Sequence, residues 1–547
     1  MRAVSRVIRH VARVGAAHRG LAIALAAATV LVFVRSFVYL AYEQSFFDSD
    51  QAIFGLMAKH LLEGRAFPLY CYGQTYMLAV DAWVAAPFFL LFGPSVMSWH
   101  LSMVALNLAT VVLLITILYR ESGLTPPFAL LATLVLAFTP PLTAASLVEG
   151  AAGIGPVLCV PILWLLRRRP LWFGLVLAVG SLSRPFTAYV VPVLLVQQFW
   201  DRSLWRRDTL RFWLVAAVVF AAVVQSVKAL EPYSDLMGPG TRGELIGGYG
   251  GSQVGTVADR IEFIPSELPV RVETMIADDL PGLYGLAPID NAIARQGHAW
   301  ALWPVVLACG IGLAAAAVAV MRSRSGHAQP GAPQAALGAS RPLAFPVFLL
   351  GVGLLAVLVY IITRPPDLVV HRYLLLSLYV PVGVVSLVFA APTVRWVQGL
   401  VAAAVVLAGI GSGVDHWRQV ERYWGGKQPN DLRVLADELV RRHIHVAMAG
   451  YWRAYKITFL TDEQVKVASS DVVRISEYQR LANAEGPNLI TIQDEPCPGG
   501  DHVSAWYLCK ASPSRMGQVL NRRTSETSVV NGHGVSPPVA VVRQLKT

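Results

Sequence analysis

Two carboxylates stand two residues apart in the run Phe46-Phe47-Asp48-Ser49-Asp50-Gln51-Ala52, directly after a long apolar stretch and directly before a helical pattern. Two chemistries suit them. Asp48, Ser49 or Asp50 can cap the coming helix, accepting its first free N–H groups and opposing its positive end. Alternatively, a carboxylate held at a membrane surface, partly stripped of water, makes a general base. One residue can cap while the other reacts. Further on, Leu69-Tyr70-Cys71-Tyr72-Gly73-Gln74-Thr75-Tyr76-Met77 leads to Asp81 and Trp83. Aromatics at this depth anchor a chain at the interface. They also form platforms for the C–H faces of a sugar, as Tyr76 would, with Gln74 or Asp81 bonding hydroxyls. Cations gather later: Arg184 in Ser181-Leu182-Ser183-Arg184-Pro185, and Arg364, His371 and Arg372 ahead of Tyr373-Leu374-Leu375. A snorkelling arginine at a helix end is the plain reading. The other is a phosphate ligand, since guanidinium grips phosphate through two parallel bonds.

These residues need a scaffold, and composition says what kind. Of 547 residues, 55% are hydrophobic and 14% charged. A soluble domain carries about 25% charged residues, so most of this surface faces something other than water. The net charge of +11 comes from arginines scattered near the ends of apolar runs, not from a basic face, which speaks against nucleic-acid binding. No CxxC or Cys/His spacing suggests zinc. Cys497 and Cys509 lie close together in the polar tail. A disulfide between them depends on the compartment and on geometry the sequence does not give.

Eleven apolar runs follow one another: 21–41, 97–119, 126–147, 152–166, 171–183, 185–200, 210–228, 299–321, 343–363, 373–391 and 396–414. About eleven transmembrane helices are expected, the short runs at 152–166, 171–183 and 185–200 being tilted, kinked or partly re-entrant. Arg2, Arg6, Arg9, Arg13 and Arg19, with no acid among the first twenty residues, place segment 1–20 in the cytoplasm, and the long run behind it reads as an uncleaved span. The stretch 77–93 is ambiguous. Laid along the outer interface, it puts Arg167–Arg169, Arg202, Arg206, Arg207, Arg322, Arg324 and Arg341 inside. It also puts 229–298, with ten acids and four arginines, outside.

The expected organisation is therefore an all-α polytopic domain over 21–414 with outer loops at 42–96 and 229–298. A small α/β domain at 415–521 lies outside the cytoplasm, and a tail at 522–547 is expected to be mobile. Gln51–Leu62 and Asp431–His443 have helical apolar faces. His445–Met448, Ile457–Leu460 and Asn488–Ile492 read as short strands.

With these residues in order, the chain resembles the GT-C-fold glycosyltransferases, in the bacterial branch related to protein O-mannosyltransferases and lipid A aminoarabinose transferases. The features that carry the likeness are an Asp-containing first outer loop, Tyr72-Gly73-Gln74-Thr75-Tyr76-Met77, and Arg372-Tyr373-Leu374-Leu375 ahead of Leu378-Tyr379. It covers roughly 20–415. The segment Gly450-Tyr451-Trp452-Arg453-Ala454-Tyr455 also looks like the soluble tail of family members. The resemblance implies a polyprenyl-phosphate sugar donor and transfer, with inversion, to an extracytoplasmic acceptor (glycan, lipid or protein) at the bacterial inner membrane. The family's acidic residue maps to Asp50, with Asp48 upstream. Relatives often have Asp-Glu where this chain has Asp50-Gln51, and a Lys or His before Pro-Pro-Leu where it has Gln74-Thr75-Tyr76-Met77. The base and any divalent metal are therefore left open, and the phosphate contact passes to Arg372 or Arg184. The rival class is a transporter or flippase of a lipid-linked glycan, which calls for ionisable residues at mid-membrane and repeat symmetry.

Overall fold

The computed structural model describes residues 2–150, 154–245, 264–291, 293–298, 300, 302–325, 341–363 and 371–511, with backbone only at 2–18, 302–303, 319–320, 322–325, 341 and 371–372. Arg364 and the 522–547 tail lie outside the described residues, as does most of the middle of the second loop.

Helices dominate. α1 (Arg2–Ala41) leads to α2 (Ser49–Leu62), α3 (Val80–Phe92), α4 (Val96–Arg120), α5 (Pro126–Ala137), α6 (Pro141–Val148), α7 (Ile154–Leu166), α8 (Pro170–Ser183), α9 (Val190–Trp200) and α10 (Arg207–Leu230). After the second loop, with its short α11 (Leu268–Thr274), α12 (Leu280–Leu283) and hairpin β1 (Ile289–Asp290)–β2 (Arg295–Gln296), come α13 (Leu302–Ser325), α14 (Arg341–Thr363), α15 (Tyr379–Ala390) and α16 (Arg395–Tyr423).

Among the described residues the eleven apolar runs fall on helix, with a break at 138–140, and the chain is a multi-pass membrane protein. Among the described residues, six helical stretches are long and apolar enough to cross a bilayer, and a seventh if the bent pair α5–α6 counts as one span. Other runs fall on shorter apolar helices. α7 and α8 have 13 and 14 residues, about 20 Å at 1.5 Å per residue, against a hydrocarbon core of about 30 Å. α3, at 13 residues, is short in the same way.

The α5–α6 bend of 83° has a visible cause. Pro140 and Pro141 supply no backbone N–H, so carbonyls ahead of them lose helical partners. Arg35, fully buried on α1, donates to the Leu136 carbonyl, to the Asn107 side chain and, at 3.3 Å, to Thr139 Oγ1. His416 Nε2 meets the Thr139 carbonyl at 2.7 Å, and Tyr39 donates to the Pro141 carbonyl at 2.7 Å. These polar side chains inside the bundle thus stitch a broken helix.

Beyond α16 the chain builds a mixed sheet with α17 (Asp431–Arg441), α18 (Tyr451–Leu460) and α19 (Ser476–Glu485). Its strands are β3 (Val446–Ala449), β4 (Lys466–Ser469), β5 (Ile490–Gln493), β6 (Asp501–Val503) and β7 (Trp506–Lys510), in the order β4-β3-β5-β7-β6. β3 runs parallel to β4 and β5, and β7 antiparallel to β5 and β6. Leu435, Leu439, Ala447, Ile457, Val467 and Ile492 form its core. Cys497 and Cys509 are joined, their Cα atoms 6.1 Å apart. The strand expected at Ile457–Leu460 is instead the end of α18. The local Ile-Thr-Phe-Leu run suits a strand, but buried Tyr451, Ala454, Tyr455, Thr458 and Phe459 recur at helical spacing.

Candidate functional site

α2 begins where the two carboxylates predicted a helix. Asp48 is its cap: Oδ1 accepts from the Gln51 N–H at 2.9 Å, and Lys456 is a charged neighbour. Asp50, one residue inside the first turn, points elsewhere and accepts from the Tyr451 hydroxyl at 2.5 Å. Gln51 is fully buried, its amide 2.8 Å from His100 Nε2 on α4. Gln51 is therefore core, pinning α2 to a span.

Tyr451 comes from the C-terminal sheet unit, at the start of α18. Two helix beginnings meet there: Ser49 Oγ donates to the Tyr451 carbonyl at 2.5 Å, and the Tyr451 N–H donates to Asp471 at 2.7 Å. α2 and α18 then run side by side. Gly55 allows the approach, since a Cβ there would lie 2.6 Å from the Phe459 ring. At their far ends Glu463 accepts from Arg65 at 2.7 Å and Tyr478 at 2.9 Å, and pairs with Lys59 at 3.1 Å and His60 at 3.2 Å. Burial alone would push the Glu463 carboxyl up, but the His60 and Arg65 hydrogen bonds win and hold it far below the usual carboxylate range.

Segment 69–79 is a tight irregular hairpin. Tyr70 bridges Leu78, and the Cys71 N–H donates to the Met77 carbonyl at 2.8 Å. Its tip is Gly73, at φ +73°, whose N–H reaches the Leu236 carbonyl of the second loop at 2.6 Å. Leu78 N–H donates to the Leu182 carbonyl at 3.1 Å, which ties the hairpin to the end of α8 and so to Arg184.

Arg474, just ahead of α19, reaches across this tip. It donates to the Gly73 carbonyl at 3.2 Å and, with the Gln74 amide oxygen turned towards it, to Gln74 at 2.9 Å. That oxygen also accepts from the Tyr76 hydroxyl at 2.9 Å. The guanidinium stands 5.8 Å from the Tyr451 ring centre. Tyr72 is fully buried, its hydroxyl 3.1 Å from His60 Nδ1, and belongs to the packing.

Electrostatics draw the pieces into one place. The buried Cys71 thiol, pushed up to about 12 by its burial, feels Arg474, Asp50, Arg184 and Asp81 together. Asp81, in the first turn of α3, is pushed up by burial, opposed by Arg184 and pushed further by Glu149. Glu149 closes α6 and is itself buried. The Tyr373 ring lies 5.5 Å from that of Phe186, two residues beyond Arg184. The side chains of His371 and Arg372 lie outside the described residues.

Of the residues singled out in the sequence, Asp50, Gln74, Tyr76, Asp81 and Arg184 come together, with Tyr373 behind Arg184, and Asp48 is set apart as a cap. Tyr451, Arg474 and Glu149 were not foreseen. The only trace of them was the Gly450-Tyr451-Trp452 motif, which carried no role. Among the described residues, no group of three or more His, Cys, Asp or Glu is arranged to hold a metal ion. The site offers a carboxylate fixed by a phenol, a buried Asp81 that feels both half-buried Arg184 and buried Glu149, and the Gln74 amide and Tyr76 hydroxyl on the hairpin.

No family model matches this chain, and no curated protein does. Solved structures do. The crystal structure of ArnT from Cupriavidus metallidurans bound to undecaprenyl phosphate overlays with TM-score 0.39 at 14% identity, covering 90% of this chain and 98% of that one. The same protein in the apo state gives TM-score 0.41 at 11% identity, over 91% and 99%. The overlay runs the length of both chains, but a likeness this distant carries no argument about chemistry.

Proposed function

We propose that this protein is an integral-membrane inverting glycosyltransferase that moves a sugar from a polyprenyl-phosphate donor to an extracytoplasmic acceptor. Asp50 is the general base. The observation that carries the reading is that Asp50 is joined through Tyr451 and Arg474 to the hairpin bearing Gln74 and Tyr76, which is tied in turn to the end of α8 just ahead of Arg184.

In the reaction the acceptor oxygen bonds to the anomeric carbon while the bond from that carbon to the phosphate oxygen breaks. The acceptor proton passes to Asp50, and the electron pair leaves with the polyprenyl phosphate. The growing negative charge is met by Arg184, and Arg372 is the second cation the sequence offers for that role. Gln74, Tyr76 and Asp81 bond the sugar hydroxyls. No step is routed through a metal ion. The lipid tail stays among the spans, which is why such a site belongs at their ends.

The orientation follows the arginine bias: N-terminus in the cytoplasm of a bacterial cell, both large loops and the sheet unit outside the inner membrane. The Cys497–Cys509 disulfide supports an oxidising compartment for that unit. The flippase alternative needs ionisable side chains along a path through the spans. Arg35 and His416 are instead engaged with fixed carbonyls at the helix break, which favours the enzyme.

The test is sugar transfer by the purified protein from a panel of radiolabelled polyprenyl-phosphate sugars, with membrane extract as acceptor. Transfer by wild type that disappears in Asp50→Asn supports the enzyme and its base. Transfer unchanged in Asp50→Asn removes the base, and no transfer from any donor by wild type turns the reading towards the flippase.

A further inference from the structure

We propose that the C-terminal sheet unit is part of the active site, supplying Tyr451 and Arg474 as positioning residues that hold the Asp50 carboxylate. This rests on the reading of Asp50 as the base and adds a dependence that the reading alone does not require.

The geometry argues it in steps. Asp50 sits in the first turn of a helix and is only half-buried, so its carboxylate has rotational freedom unless something restrains it. The Tyr451 hydroxyl does so, donating to Oδ1 at 2.5 Å across a sequence separation of 401 residues. A restraint works only if it is itself rigid, and Tyr451 is. Its N–H is committed to Asp471 and its carbonyl to Ser49, and its ring packs edge-on to Tyr455, with centroids 5.6 Å apart. Burial, the Asp50 charge beside it and the hydrogen bond keep its phenol protonated far above the ordinary tyrosine range, with Arg474 opposing, so it remains a donor at any working pH.

Arg474 couples this phenol to the rest of the site. It is 7% exposed and bonds the Gly73 carbonyl and the Gln74 amide. Its backbone N–H donates to the Tyr455 hydroxyl at 2.6 Å. A single side chain thus fixes the proposed sugar-binding hairpin relative to the residue that orients the base. A glycine is needed at the tip: a Cβ at position 73 would lie 2.9 Å from Arg474 Cδ. Catalysis is sensitive to displacements of this order, because a base must meet its proton at hydrogen-bond distance.

The experiment is a double-mutant cycle on the full-length protein, using the donor of the panel that gives the highest wild-type rate. Tyr451→Phe keeps the ring, so the protein should still fold, its melt lowered only by the loss of one hydrogen bond. A hydrogen bond to a charged group contributes about 1.5–3 kcal/mol, so kcat should fall at least ten-fold while the donor KM stays within two-fold. In the Asp50→Asn background the same change should cost nothing further, because the group being positioned is gone. A wild-type kcat in Tyr451→Phe with Asp50→Asn inactive overturns the positioning role and leaves the base standing. So do losses that multiply in the double variant. Full activity in Asp50→Asn overturns the base assignment, and the positioning role with it. Arg474→Gln should lower kcat and raise the donor KM together, since the hairpin loosens too; an unchanged KM removes Arg474 from the proposal.

Discussion

At the scale of single residues, Asp48 and Asp50 look interchangeable in the sequence and are not. A helix offers its first free N–H groups to the residue just before it, so the side chain at that position turns inwards. That residue is Asp48, which leaves Asp50 to face across to Tyr451. Asp50→Asn should lower kcat by about 10²–10⁴-fold with an unchanged melt. Asp48→Ala should behave in the opposite way, losing about 1 kcal/mol of stability and keeping kcat within two-fold. Paired transfer assays and thermal melts check both. The carboxylate pair was legible as important, and local spacing could not divide the roles. The dividing contact comes from 401 residues away, and no window of sequence contains it.

At the scale of elements, the contact that matters is between α2 and α18. They lie close because Gly55 presents no side chain to Phe459. Gly55→Val should push the helices apart, costing about 1–3 kcal/mol as over-packing does, and should lower transfer by moving Tyr451 off Asp50. Adding Phe459→Ala should recover much of the melt by making room, which a thermal scan of single and double variants tests. α2 could be read from its apolar face, because that periodicity is a property of the segment alone. α18 was half-lost to a strand assignment, because four residues of Ile-Thr-Phe-Leu satisfy either pattern and only the longer buried stripe separates them. The short helices α3, α7 and α8 were visible as apolar runs. Their shortness matters only once their packing is known.

At the scale of the molecule, a charged cluster locks the sheet unit to the first loop. Glu463 is held far below the ordinary carboxylate value in the folded chain by His60 and Arg65. Its contribution to stability is therefore complete above the unfolded value of about 4.3 and is lost as pH falls from there towards its folded value. Below about pH 4.3 the melting temperature should drop more steeply in wild type than in Glu463→Gln, which starts lower and lacks that titration. The disulfide closes a loop with a sequence separation of 12, so Cys509→Ser should cost about 2–3 kcal/mol. A membrane-impermeant thiol reagent applied to intact spheroplasts should label the lone Cys497 of that variant. Labelling only after lysis would reverse the proposed orientation.

The sequence by itself determined the solvent of each segment. A bilayer and water impose different compositions, and a run of apolar residues carries that information within itself. It therefore specified the helical membrane unit and the polar C-terminal unit. It also marked Asp50, Gln74, Asp81 and Arg184 as residues too polar for their surroundings. Only the tertiary structure decided which of them meet, and that Tyr451, Arg474 and Glu149 join them. Those contacts arise from packing between segments tens to hundreds of residues apart, and hydrogen bonds act over about 3 Å of space, whatever the distance along the chain.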